Sequence, residues 1–127
     1  MTGTSYTALE KRSLRRRLRS DRDAMTAGQR ADYTKRALKH LVTWEPWTRA
    51  TLVGSYLPHE SEFDPRPLAQ AARARGADIV CPRVNGNAMS FHHWHVGDDT
   101  EETIGGVLQP RPAAPVVDAA TIDLFLT

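Results

Sequence analysis

Three stretches of this chain carry side chains that could do chemistry. The first, EKRSLRRRLRSDR (residues 10–22), sets Lys11, Arg12, Arg15, Arg16, Arg17, Arg19 and Arg22 against only Glu10 and Asp21. Fixed positive charge at this density suits phosphate. Each charged hydrogen bond is worth about 1.5–3 kcal/mol, so two or three could hold a nucleotide triphosphate. Contact with a duplex backbone and simple solvation compete with that reading. Specific duplex binding also needs side chains that read base edges. No aromatic residue interleaves the arginines, which argues against stacking on single strands.

The second stretch, PHESEFD, gathers Glu60, Glu62 and Asp64 between an apolar run and a helix start. Asp64 has a capping role to fill. Glu62 has none, so it is either a solvated carboxylate or one that accepts the N–H groups of a heterocycle. The third stretch, FHHWH (residues 91–95), would put His93 and His95 on one strand face. No third ligand of suitable spacing accompanies them, so no metal site is assigned. Cys81 ends an apolar run and reads as a packed small hydrophobe. Neither GxxxxGK[ST] nor GxGxxG occurs, and Gly105-Gly106 alone reads as a turn.

The totals set the class. A chain of 127 residues, 40% hydrophobic and 25% charged, reads as a single folded α/β domain over residues 1–127. Residues 10–22 hold a local charge of +5 in a chain whose net charge is +2, so the basic excess is local and no nucleic-acid partner is assigned. The single cysteine, the absence of an apolar leader and the absence of any membrane-length apolar run give the expectation of a soluble cytoplasmic protein, and a monomer is expected.

The elements that must position these groups follow from periodicity and caps. A helix is expected over residues 7–23, with Leu14 and Leu18 as its apolar contact and Lys11, Arg15, Arg19 and Arg22 along one ridge. Thr26 with Gln29 fits a capping box and opens a helix over 26–44, which Pro46 stops. ATLVGSYLP reads as a buried strand over 51–57. A helix over 64–76 follows, with Asp64 as N-cap, Pro65 at its first position and Gly76 as its stop. ADIVCP gives a strand over 78–82, so strand, helix and strand form a parallel βαβ unit. Asn85-Gly86 predicts a type I′ hairpin turn. Residues 97–121 read mostly as loop, because Pro110, Pro112 and Pro115 forbid a regular helix. IDLFLT opens a last strand over 122–126, and the chain stops inside it, as a fragment would. The expected architecture is a three-layer α/β sandwich. Its mainly parallel sheet, flanked by helices and carrying one hairpin, has Rossmann-like topology.

Taken in order, KRSLRRRLRSDRDAM, GSYLPHESEFDPRPL, VCPRV with AMSF, VLQPRP and IDLFLT resemble the 5-formyltetrahydrofolate cyclo-ligase (methenyltetrahydrofolate synthetase) family. The resemblance implies ATP-dependent cyclisation of 5-formyltetrahydrofolate to 5,10-methenyltetrahydrofolate, with magnesium. It implies ATP contacts from Lys11, Arg12, Ser13, Leu14 and Arg15, and a folate pocket lined by Leu57 and Glu62. It names no catalytic residue and no metal ligand here. The family's Gly-rich segment, which wraps the ATP phosphates and supplies the magnesium carboxylate, has no counterpart in this sequence. The chain is therefore expected to be the N-terminal part of a cyclo-ligase domain and inactive alone. A small basic-helix module that contacts nucleic acid or a protein is the alternative.

Overall fold

The computed structural model describes residues 7–60 and 62–127. Two helices come first, α1 (Ala8–Asp23) and α2 (Ala27–Leu41), each opened by a capping box. In the second, Thr26 Oγ1 accepts from the Gln29 amide at 3.1 Å and the Gln29 side chain accepts from the Thr26 amide at 2.9 Å, as expected. Thr7 and Glu10 build the same box on α1. The predicted apolar contact of α1 does not form. No residue of this helix is buried, and Leu14 and Leu18 stay 39% and 52% exposed. Three leucines, Leu9, Leu14 and Leu18, among seven cations give too thin a stripe to bury.

The second helix ends three residues earlier than expected. Pro46 then sits in the first turn of a separate short helix, α3 (Glu45–Arg49). A proline that stops one helix is also suited to start another, because first-turn amides have no partner in any case.

The core is a βαβ unit: β1 (Leu52–Gly54), α4 (Arg66–Ala74) and β2 (Asp78–Asn85). The two strands pair in parallel, Val53 opposite Ile79. β3 (Ala88–His93) returns antiparallel beside β2. The hairpin turn lies one residue later than predicted. Asn85 pairs with Ala88, so the turn residues are Gly86 and Asn87. Only Gly86 has positive φ (61°), as in a type II′ turn, whereas type I′ needs positive φ at both positions.

The segment expected to be loop contains short strands. β4 (Thr100–Glu102) and β5 (Leu108–Pro110) form a separate antiparallel pair, and β6 (Val116–Val117) pairs with β3. Prolines forbid helix but are tolerated on strand edges, and strands this short show no alternation. β7 (Leu124–Phe125) pairs in parallel with β1. The main sheet therefore runs β6-β3-β2-β1-β7, an open, mainly parallel core as the sequence implied.

Val53, Ile79 and Leu124 form one row across this sheet. Over the row pack Leu68, Ala69 and Ala72 of α4, Trp47 of α3, and Ala37, Leu38 and Leu41 of α2. Burying each large apolar side chain is worth about 1.5–3 kcal/mol, so this row fixes the register of the sheet. Arg75 seals one end: its Nη1 donates to the Ala50 carbonyl at 2.8 Å, its Nη2 to the Trp47 carbonyl, and its guanidinium lies 5.3 Å from the Trp47 ring centroid. The opposite sheet face carries the Phe91–Phe125 edge-to-face pair, centroids 5.6 Å apart. Among the described residues no helix contributes a buried side chain to that face. No helix among them is long and apolar enough to cross a membrane.

Phe125 needs a glycine beneath it. A Cβ on Gly54 would lie 2.6 Å from the Phe125 ring and 3.3 Å from Ile122. Gly54→Ala is expected to cost about 1–3 kcal/mol of stability in denaturant unfolding. Most of that cost should vanish in a Phe125→Ala background. An equal cost in both backgrounds would mean that Phe125 does not cover Gly54.

Asp123 ties the last strand to the first. Its Oδ2 accepts from the Thr51 amide (2.9 Å), the Thr51 hydroxyl (3.0 Å) and the Leu52 amide (3.0 Å). The Thr51 and Leu52 amides, then the Thr51 hydroxyl, hold this carboxyl below the usual aspartate range. The contribution is fully present above the unfolded aspartate pKa and is lost as pH falls through the lower folded value. Asp123→Asn should therefore lower the Tm at pH 7, with the gap to wild type closing in acid. A gap that persists below the folded pKa would show that the charge is not what matters.

Candidate functional site

β1 lies between two parallel neighbours, β2 reached through α4 and β7 reached much later in the chain. Its carboxyl end is thus a topological switch point, where open α/β sheets form their ligand crevice. The described residues that leave β1 at that end, 55–60 and 62–65, carry the acidic cluster.

Local hydrogen bonds shape this loop. The Tyr56 hydroxyl donates to the Phe63 carbonyl at 2.8 Å. The Glu62 amide donates to the His59 carbonyl at 3.1 Å, and Glu62 Oε1 accepts from the His59 amide at 2.8 Å. Glu60 stands at φ +54°, the one non-glycine residue among those described with positive φ. Glu62, to which the sequence assigns no structural role, thus has a local one. It closes the turn with one oxygen, and the other has no hydrogen-bond partner among the described residues.

Asp64 behaves as a cap displaced by one residue. The helix starts at Arg66, and Pro65 occupies the cap position without a side-chain bond. Asp64 Oδ1 accepts from the Arg66 amide at 3.0 Å, and the Arg66 guanidinium grips both carboxylate oxygens. Partial burial pushes the Asp64 carboxyl up, but its hydrogen bonds from Arg66 and that residue's charge outweigh burial and leave it below the usual range. Burial, then the Glu62 and Asp64 carboxylates, push the Tyr56 phenol up. Tyr56 belongs to the same loop, and no spacing rule singles it out.

A cleft of about 890 Å³ opens beside this loop. Pro58, Glu60, Glu62, Asp64, Arg66 and Pro67 line one side. The other side is the corner between α1 and α2 and the face of α2, with Arg22, Arg30 and Arg36. Met25, Ala31, Ala37 and Phe63 give it apolar surface. Arg30 Nη2 donates to the Arg22 carbonyl at 2.9 Å, which joins the end of α1 to α2. Arg36 pairs with Asp32 and lies 5.0 Å from the Tyr33 ring centroid.

The anticipated site residues fall in three places. Glu62 lines the cleft. Leu57 is buried beneath the loop, 7% exposed, in an apolar cluster with Cys81 and Trp94. Lys11, Arg12, Ser13, Leu14 and Arg15 lie on the exposed first half of α1 and do not line the cleft, which this helix reaches through Arg22. Arg15 and Arg22 are seven residues apart, roughly 10 Å along a helix.

The other candidates resolve as structural groups. Burial pushes the Cys81 thiol up to about 12, which leaves it unreactive. His93 ends β3, while His95 lies beyond it with Nε2 buried, 3.9 Å from Asp78 Oδ1. His92 is fixed between the Ser90 hydroxyl and the Ala114 carbonyl, both at 2.7 Å. Among the described residues no three His, Cys, Asp or Glu side chains gather as a metal site.

The profile of the 5-formyltetrahydrofolate cyclo-ligase family matches residues 7–127. The NMR structure of Aquifex aeolicus 5,10-methenyltetrahydrofolate synthetase superposes with a TM-score of 0.74 at 20% sequence identity. The match covers 91% of this chain and 58% of that one, so the chain spans little more than half of that structure's length. At this identity the likeness establishes the fold. No curated protein matches by sequence. A family match over nearly every residue, on a fold of the same kind, settles the affiliation: this chain belongs to the 5-formyltetrahydrofolate cyclo-ligase family.

Proposed function

We propose that residues 1–127 are the N-terminal part of a cyclo-ligase domain and form the β1 side of its active site. The reaction is the ATP-dependent cyclisation of 5-formyltetrahydrofolate to 5,10-methenyltetrahydrofolate. ATP phosphorylates the formyl oxygen, releasing ADP. N10 then attacks the formyl carbon, and the C–O bond breaks with loss of phosphate. One observation carries the reading: in this chain, a member of the family, Glu62 stands on a cleft at the carboxyl end of β1, with one carboxylate oxygen unpartnered among the described residues.

In this reading Glu62 accepts the N–H groups of the pterin edge, and the His59 amide holds it in place. Leu57 supports the loop from below. Lys11 and Arg15 contribute fixed charge to the ATP phosphates, with Arg12, Ser13 and Leu14 in the same contact segment. Magnesium belongs to the family's chemistry, but no step is assigned to it on these residues. The setting is the cytoplasm, and the working unit is a monomer. The full exposure of α1 also supports the alternative of a basic helix that contacts nucleic acid.

Both readings can be tested in a chain extended with a family C-terminal segment. Lys11→Ala and Arg15→Ala should each weaken ATP binding by about 1.5–3 kcal/mol, roughly ten- to hundredfold, whereas Arg17→Ala should not. Equal losses from all three would indicate diffuse charge and favour the nucleic-acid reading. Titration calorimetry with ATP and with a short duplex separates the two.

Glu62→Gln should weaken 5-formyltetrahydrofolate binding by a similar amount and leave ATP affinity unchanged. The amide keeps the size but faces the pterin's donors with a donor of its own. Unchanged folate affinity would reduce Glu62 to a turn-closing residue.

A further inference from the structure

A second cavity, of about 260 Å³, lies between α4 and the segment Trp94–Val96 that follows β3. The Trp94 amide donates to the Ile79 carbonyl at 3.1 Å, which lays this segment beside the start of β2. Ala69 and Ala74 of α4 face it with side chains too small to fill the gap, and Ile79, Trp94 and Val96 complete mostly apolar walls. The volume is just below the roughly 300–1,000 Å³ of drug-sized pockets, which suits one or two rings. Among the lining residues only Arg66 also lines the cleft beside the β1 loop.

The polar groups of this cavity are donors. His95 belongs to no metal site, but its Nε2 is buried without a hydrogen-bond partner, the one such side-chain atom among the described residues. A buried polar atom left unpaired destabilises the fold unless something in the cavity pairs with it. Asp78 Oδ1, 3.9 Å away, is too far to bond but near enough to favour the proton on Nε2. The ring thus offers a donor. Arg73 and Arg66 reach the same space. Asp78 anchors the first at 2.6 Å and Asp64 the second at 2.8 Å, and each guanidinium keeps further N–H groups. No acidic side chain among the described residues lines the cavity. Donors without acceptors around an apolar hollow fit an anionic group on a flat apolar body. We propose that this cavity is a second ligand site, separate from the cleft, and that it takes a small aromatic carboxylate. The ring packs against Trp94 and Ile79, and the carboxylate accepts from His95 Nε2 and Arg73. The site does not depend on the folate reading above.

The test offers this chain 2-naphthoate, its neutral counterpart 2-naphthamide, and acetate. Affinity is read by calorimetry. The place of binding is read by NMR from the His95 ring and from the Trp94 indole N–H, which donates to the Asp99 carbonyl at 3.2 Å. 2-Naphthoate should shift both signals and bind roughly tenfold tighter than the amide, because a charged acceptor makes the stronger hydrogen bond. Acetate, with no ring to bury, should bind far more weakly than either. His95→Ala should reduce the preference for the carboxylate at least threefold. Ala74 is exposed on α4, so Ala74→Phe can place a ring in the cavity without disturbing the core, and it should abolish binding. Should His95→Ala fail to fold, Ala74→Phe decides alone. Equal affinity for the carboxylate and the amide overturns the proposal, as does undiminished binding to Ala74→Phe, which would put the probe elsewhere. If 2-naphthoate leaves both signals unmoved, the cavity holds only water and the proposal fails.

Discussion

The structure depends on one constraint: β1 must be covered on one face and paired on both edges. Its three residues bring Val53 into the row with Ile79 and Leu124, under α4, α3 and α2. A strand so enclosed can only leave at its carboxyl end, and the connection to a parallel partner must cross over through a helix. The loop of residues 55–65 therefore lies at the switch point, and its acidic residues meet the end of the first helical pair. Remove the apolar row and nothing places Glu62 opposite Arg22.

Around that constraint the polar contacts are mostly local and specific. Asp123 fastens β7 to the start of β1, and Arg75 fastens α3 to the end of α4. The second sheet is joined to β2 by Arg83, which binds Glu101 and the Pro110 carbonyl, and by Gln109, which accepts from the Val84 amide. The Arg83 hydrogen bond is the main reason the Glu101 carboxyl sits below its usual range. α1 stands apart from this economy of contacts. It is held by its capping box and by the Arg30 bond at its last turn, and it offers its cations to solvent along its whole length.

Much of this was legible in the sequence, where a single local rule decides the outcome. The Thr26–Gln29 box, the βαβ order around β1 and β2, and the positive φ of Gly76 each follow from side-chain chemistry within a few residues. Errors arose where two local rules compete. Asn85-Gly86 and Gly86-Asn87 are both workable turns, and cross-strand pairing chose the second. Pro46 both stops and starts a helix. Strands of two or three residues, such as β4, β5 and β6, are too short to show a period and exist only through their partners. The same limit applies to the site. Glu62 could be picked out as a carboxylate without a job, but its bond to His59 and the arginines across the cleft are tertiary facts. Arg22, Arg30 and Arg36 are spread over two helices, and no spacing rule links them to residue 62.

In the proposed function, Glu62 reads a pterin from the β1 side of the cleft. A crystal structure of the chain, extended with a family C-terminal segment and bound to 5-formyltetrahydrofolate, tests it most directly. The expected result is pterin N–H groups within about 3 Å of the second Glu62 oxygen and the ring between the β1 loop and α2. A pterin seated elsewhere, with the Glu62 carboxylate still bound only to the His59 amide, would contradict it.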